Sequence, residues 1–186
     1  PEMRPVLDAV RMILDHHEPN PAVVLDGCWN VVMENRAMTR LFGLMGDIDA
    51  AWQRCCGDGS RNLLKLTFHP EGMRAFMQDW EGVCALLLSR LRREVDTTGR
   101  PGERALLAEI LNYPGLPEAV LSVDPEVAPP PVIPLTLGAG GVSLSLFSMI
   151  STFGTAQDVT TDELRIESFF PADEASAALL KMMAAG

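Results

Sequence analysis

The residues able to do acid–base, nucleophilic or metal chemistry are few, and their spacing keeps them apart. There are three histidines, His16, His17 and His69, and four cysteines, Cys28, Cys55, Cys56 and Cys84. No two cysteines have the Cys-x-x-Cys spacing of a zinc or redox site, and no histidine sits beside a matching thiol or acidic cluster. No structural metal site is expected. Adjacent Cys55 and Cys56 cannot bridge each other without strain, so reduced thiols in a cytosolic chain are the plain reading. Asp158, Asp162 and Glu163 form a small acidic group after Gly154; its spacing fits no calcium loop, and a solvated loop is the simpler account. Gly138-Ala139-Gly140-Gly141 is like a phosphate cradle in composition only, because it joins two strand-like runs and a hairpin turn needs those glycines. There is no Gly-x-Ser-x-Gly elbow and no Gly-x-Gly-x-x-Gly. His16-His17 ends a helical pattern, where imidazoles help the last carbonyls, and His69 precedes Pro70 in a loop. Arg165 and Glu167 share one strand face and either pair with each other or present a polar strip.

The elements that must position these residues follow from periodicity. Val142, Leu144 and Leu146 alternate with Ser143 and Ser145, which predicts a strand with one buried face. From Phe147 to Phe153 both phases turn apolar, so either a bulge swaps the faces or something covers the strand on both sides. Leu164, Ile166 and Ser168 alternate with Arg165, Glu167 and Phe169 up to Pro171, which ends the run because it offers no N–H. Upstream, Ala22–Leu25 and Cys28–Met33 flank Asp26-Gly27, a short-range hairpin signal in which both turn residues accept positive φ. Asn35 is placed to cap a helix from Arg36 to Leu44, and Asn62 to cap a short one with Leu63, Leu64 and Leu66. Pro70 is expected to start a long helix whose stripe runs from Met73 through Trp80 to Leu91, and Thr97 to Gly102 is expected to be a loop. Glu103 to Asn112 forms a further helix, Ala50-Ala51-Trp52 within Asp47 to Ser60 fits one helical turn with Gly57 to Ser60 a loop, and a last helix runs from Ala172 to about Ala184. Pro117 to Pro134, centred on Pro129-Pro130-Pro131, is a polyproline-like connector, after which Val132–Leu137 pairs with the strand at Val142.

The totals fit one α+β domain of 186 residues with 47% hydrophobic and 22% charged residues, which excludes disorder as the default. A formal charge of −10 repels phosphate backbones, so this chain is not expected to bind nucleic acid by itself. No apolar run reaches the roughly 18 residues of a membrane span, and no signal peptide opens the chain. It starts with Pro1, a hint of a longer parent.

The order is helix, hairpin, helices, hairpin, strand, helix. It predicts a PAS-like antiparallel sheet of about five strands covered by helices, with flanking N- and C-terminal helices. The segment Thr152 to Thr160 with Glu163 to Ala175 resembles the C-terminal signature of MmyB-like ligand-binding domains. Pro21 to Asp26, Trp29-Asn30-Val31, Asn35-Arg36, Asn62-Leu63-Leu64 and the Trp80 helix are also similar to that family. The resemblance spans about Pro19 to Met183. Its middle departs from the pattern at Cys55-Cys56 and Pro129-Pro130-Pro131. It implies the PAS-like half of a cytoplasmic bacterial regulator whose Xre-type helix-turn-helix domain lies upstream, outside this chain. It further implies an apolar, fatty-acid-like ligand, a dimer, no enzymatic role, and contact with DNA only through the absent domain. The Thr152–Asp158 motif either fixes the turn between strands or meets the DNA-binding domain.

In that frame residues 1–18 are a connector or dimer helix and residues 19–186 the ligand-binding domain. Met38, Leu41, Phe42 and the segment from Asn62 through Phe68 are expected to face Val32, Leu144, Leu146 and Ser148 around an apolar ligand. Arg36, Arg40 and Asn62 are the donors available for a carboxylate head at the rim. The apolar seam of Met3 to Leu14 is expected to meet a second chain, with Val6, Val10 and Ile13 partly buried by it; the alternative is that the seam packs inward. Two competing functions stand beside sensing. One is an enzyme acting on a hydrophobic acyl substrate, with His69 or the acidic loop as base; the other is a scaffold whose cavity is filled by its own side chains.

Overall fold

The computed structural model describes residues 3–118, 132–152 and 164–185. The proline-rich centre at 119–131, the acidic group at 158–163 and the Thr152–Asp158 motif beyond Thr152 lie outside them. A helix α1, Met3–His17, leads into the hairpin β1 (Ala22–Leu25) and β2 (Val31–Glu34). A helical excursion follows: α2 (Arg36–Gly43), α3 (Ile48–Cys56), α4 (Leu63–Phe68), a 3₁₀ turn at Met73–Phe76, α5 (Trp80–Thr98) and α6 (Pro101–Leu111). The chain returns as β3 (Ile133–Ala139), β4 (Val142–Thr152) and β5 (Arg165–Pro171), and closes with α7 (Glu174–Ala185). All neighbouring strands are antiparallel, in the order β2-β1-β5-β4-β3. The architecture is α+β and PAS-like. The last strand lies at the centre, so the sheet forms only when residues more than a hundred apart meet.

Each face of this sheet has its own apolar cluster. Val23, Leu25, Leu144, Leu146 and Phe169 point inward against α2 to α6 and make the main core. The alternate residues Ala22, Val24, Leu164 and Ile166 point outward and are covered by Val10 and Leu14 of α1. Val10 is therefore buried within its own chain, not by a second copy. Ile13, 45% exposed, is the seam residue left open. His17 ties the end of α1 to the sheet by a 3.1 Å contact with the Phe169 carbonyl.

Asparagine and aspartate side chains set the helix starts. The Asn35 carbonyl oxygen accepts from Met38 N at 2.9 Å and from Ala22 N at 3.0 Å, so one amide caps α2 and fastens it to β1. Asp47 caps α3, which gives the Asp47–Ser60 stretch a helix of nine residues rather than a single turn. Asp79 caps α5, and Pro101 occupies the first turn of α6, so the expected 97–102 loop shrinks to Gly99 and Arg100.

Two expectations are corrected and one open alternative is decided. The Met73–Leu91 stripe is not one helix: it breaks at 77–79, where Met77 bridges to Leu137 of β3 and Gln78 N donates to Thr136 O. Gly72 sits against the Leu66 carbonyl with no room for a Cβ, so the chain folds back on α4 before α5 begins. The first hairpin has no two-residue turn. Asp26 Oδ1 accepts from Cys28 N and Asn30 N, both at 2.8 Å, and Trp29, not Gly27, takes positive φ at 67°. The second hairpin does close on Gly140 and Gly141, both at positive φ. Finally, β4 keeps one register with β3 and β5 throughout, so no bulge swaps its faces. Its outer Phe147 stacks on Phe170 at 5.3 Å.

Candidate functional site

Strand alternation builds the site. Because Leu164 and Ile166 face α1, the other phase of β5, carrying Arg165, Glu167 and Phe169, must face the helices. On β4 the inward phase is Leu144, Leu146 and Ser148. The helices leave a gap over Glu167 and Ser148, a cavity of about 40 Å³. Its walls are Met38 of α2, Leu63, Leu64 and Thr67 of α4, Met73 and Met77 around the 3₁₀ turn, Val83 and Leu87 of α5, and Trp29, Ile133, Leu135 and Phe169. A second void of about 20 Å³ lies further along the sheet between Leu41, Leu44, Met45, Phe76, Leu137 and Leu144. Met73 borders both.

Among the described residues Glu167 is the one acidic side chain lining the larger cavity, and it is 5% exposed. Burial pushes its carboxyl above the ordinary 4.5, because an ionised group there has lost its water. A hydrogen bond from the Ser148 hydroxyl and the positive charges of Arg90 and Arg165 partly offset that rise.

Trp29 forms another part of the wall and is held from several sides. Its Nε1 donates to Glu94 Oε2 at 2.8 Å, and the Arg165 guanidinium lies 4.3 Å from its ring centroid. Arg165 also donates to Glu94 Oε1 at 2.7 Å and to the Gly27 carbonyl at 3.0 Å, and Arg90 reaches Glu94 at 3.3 Å. Arg165 therefore pairs with Glu94 of α5, not with its strand neighbour Glu167. These contacts over-determine the indole and hold Trp29 at a backbone angle that costs on the order of 1–3 kcal/mol.

The expected site residues separate into three groups. Met38 and Ser148 line the larger cavity, and Leu41 and Leu144 the smaller void. Phe42, Phe68 and Leu146 belong to the same core but line neither void; Phe42 packs edge-on against Trp52 and Phe68 against Trp80. Val32, Arg36, Arg40 and Asn62 are corrected. Between Val24↔Met33 and Leu25↔Val31 the register skips one residue of β2. That residue is Val32, which bulges out and is 42% exposed. Arg36 is exposed on α2, and Arg40 turns to Glu18 at 3.5 Å. Asn62 is buried but spent: it caps α4 through Lys65 N and donates to Cys28 O at 2.8 Å and Asn30 Oδ1 at 3.0 Å. None of the three expected head-group donors lines the cavity.

Sequence reasoning missed Trp29, Met73, Met77 and Glu167 as cavity residues, while Leu63, Leu64 and Thr67 fall in the segment expected there. The signal for Glu167 was its phase, shared with Phe169, but Leu164 and Ile166 in the other phase look equally like core.

Of the two groups suggested as a base, the acidic loop lies outside the described residues, and His69 is engaged structurally. His69 Nδ1 accepts from Glu71 N at 3.2 Å and its ring meets Tyr113 edge-on. Burial pushes the Cys55 and Cys84 thiols up to about 11 and about 12, away from nucleophilic thiolates. Among the described residues, no three His, Cys, Asp or Glu side chains converge as a metal site, and no helix is long and apolar enough to cross a membrane.

A family profile described as the MmyB-like transcription regulator ligand binding domain matches residues 6–183. The chain belongs to that family. A solved structure, the PAS domain from Bordetella pertussis BvgS, is similar at 14% identity and a TM-score of 0.41, covering 98% of this chain and 97% of that one. No curated protein matches the sequence.

Proposed function

We propose that this MmyB-like domain senses a small apolar molecule in the cavity over β4 and β5. In this reading it is the non-catalytic half of a cytoplasmic, homodimeric regulator of the Xre type. DNA is contacted by a helix-turn-helix domain outside this chain, in keeping with the charge of −10. The observation that carries the reading is an apolar cavity with, among the described residues, a single acidic side chain, roofed by Met38, Met73 and Met77. Methionine side chains are unbranched and repack readily, which suits a wall that must yield to a ligand.

The size of the gap bears on the ligand. About 40 Å³ is a fraction of the roughly 150 Å³ void that takes up benzene in an engineered protein. A fatty-acid-like chain, the class implied by the family resemblance, enters only by pushing the methionines and the Met73–Phe76 turn aside. A compact molecule needs less movement. The small gap equally favours a second reading, a scaffold that its own side chains fill.

Native mass spectrometry of the purified chain, followed by solvent extraction, tests the two against each other. Sensing predicts a reproducible small-molecule adduct, or a melting shift on adding apolar compounds that is lost when Met73→Trp fills the gap. A clean mass with no compound-induced shift supports the scaffold. Hydrolytic turnover of acyl substrates, abolished by His69→Ala, would overturn the non-catalytic reading.

A further inference from the structure

We propose that Glu167 makes this cavity selective for a small apolar molecule bearing a hydrogen-bond donor, an alcohol or a primary amine, and turns away one that ends in a carboxylate. The inference rests on the ligand-binding reading above and adds the chemistry of the head group.

Four observations support it. Glu167 is 5% exposed and lines the cavity, so any ligand there must meet its carboxyl without much water between them. A carboxylate offers about four acceptor positions, and the Ser148 hydroxyl takes one of them. The other polar groups in the wall are engaged elsewhere: the Thr67 hydroxyl donates to Leu63 O at 2.8 Å, and Trp29 Nε1 donates to Glu94. Among the described residues, no Lys, Arg or His lines the cavity. Arg165, the nearest strand neighbour on that face, spends its guanidinium on Glu94 and on the Asp26 and Gly27 carbonyls.

The consequence is asymmetric. A hydroxyl or ammonium entering the gap finds an acceptor already in place, held by Ser148 on a central strand. An alkanoate finds a second carboxyl and no cation in the wall, since Arg90 and Arg165, whose charges reach Glu167, are both paired with Glu94. One of the two acids must then take up a proton, and the pair binds only as a shared-proton dyad. A donor-free apolar ligand leaves the acid facing hydrocarbon, which removes what little hydration the gap allows. Sites built to pair a substrate hydroxyl reject analogues that lack it far more strongly than apolar pockets reject a missing methylene.

The test uses four probes of one carbon skeleton, 1-pentanol, 1-aminopentane, 1-chloropentane and pentanoate, titrated into the purified chain by calorimetry. The wild type is expected to bind the better of the alcohol and the amine at least tenfold more tightly than pentanoate or chloropentane. Glu167→Leu should lose that preference while keeping chloropentane. Glu167→Gln has the same shape and offers both a donor and an acceptor, so it should bring pentanoate to within about threefold of pentanol. Equal wild-type affinities for all four probes would overturn the selectivity while leaving a ligand site. So would a preference that Glu167→Gln leaves unchanged. If no probe binds wild type or Glu167→Gln, with both retaining a dispersed amide spectrum, the ligand-binding reading fails and the proposal with it.

Discussion

The two voids on the inner face of the sheet share the side chain of Met73 but differ in what the sheet puts at their floor. The smaller one, around Leu41, Leu137 and Leu144, is aliphatic throughout apart from the ring of Phe76 and the thioethers of Met45 and Met73. The larger one has Ser148 and Glu167 side by side on adjacent strands, with a Trp29 wall clamped by Arg165 and Glu94. Imperfect packing alone leaves small gaps in most interiors, and the first void needs no other account. A carboxyl in the second is different. Burying an acid without a full set of partners costs free energy that a leucine at the same place would not. The acid sets the larger void apart: its wall carries a cost in stability that the aliphatic void does not.

That contrast can be broken at several points. The largest effect is expected at Arg165→Ala. It leaves Glu94 to Arg90 and Trp29 Nε1, frees two backbone carbonyls and removes the nearer of two cations from the Trp29 ring, so we expect about 4 kcal/mol of lost stability by urea unfolding. A loss below about 1 kcal/mol would mean that the polar wall is not a fixed structure. Next is Leu144→Ala at the aliphatic void, expected to cost about 3 kcal/mol through lost burial and a larger gap. It should leave the head-group preference of the other cavity untouched, and a changed preference would show that the two voids act as one site.

The pH dependence of Glu167→Gln is a smaller and more specific probe. The native carboxyl titrates above its ordinary 4.5 because it is buried. Between pH 4.5 and that raised value the folded protein holds a proton that the unfolded chain releases. Wild-type stability therefore falls relative to the glutamine variant as pH rises through this window, and the difference is flat below it. Unfolding midpoints taken from pH 4 to pH 8 read the trend, and a wild type that gains on the variant with rising pH would mean the acid is stabilised ionised. The smallest change in stability, within about 0.5 kcal/mol, is expected for Ile13→Glu on the outer face. Its value lies in sedimentation: a proposed dimer that uses the exposed side of α1 should weaken, and one that stays intact removes α1 from the interface. Val10 cannot serve this test because it is buried against the sheet of its own chain.

Much of the fold was legible because its signals are local. Asn35 and Asn62 stand where capping side chains must, Gly140-Gly141 closes the second hairpin, and alternation in β4 marks its inner face. What misled the reading was long-range. The 73–91 stripe keeps a helical period across a break that exists because Met77 and Gln78 pair with β3 some sixty residues away. Val32 sits in an apolar run, and only the register against β1 reveals it as the bulged residue. The cavity was half legible. Met38 and Ser148 followed from their faces, but Glu167 did not, because β5 is covered on both sides and either phase reads as core. Arg36 and Arg40 were plausible partners for a carboxylate by charge alone; their helix turns them to solvent and to Glu18.

The central claim is that the gap over Glu167 and Ser148 admits a ligand. Methyl NMR on methionine-labelled protein reads it directly, since Met38, Met73 and Met77 line the gap while Met12, Met149 and Met182 are exposed. Titration with 1-pentanol is predicted to shift the three lining methyls saturably and to leave the three exposed ones in place. Shifts confined to Met12, Met149 and Met182, or none at saturation of the probe, would contradict it.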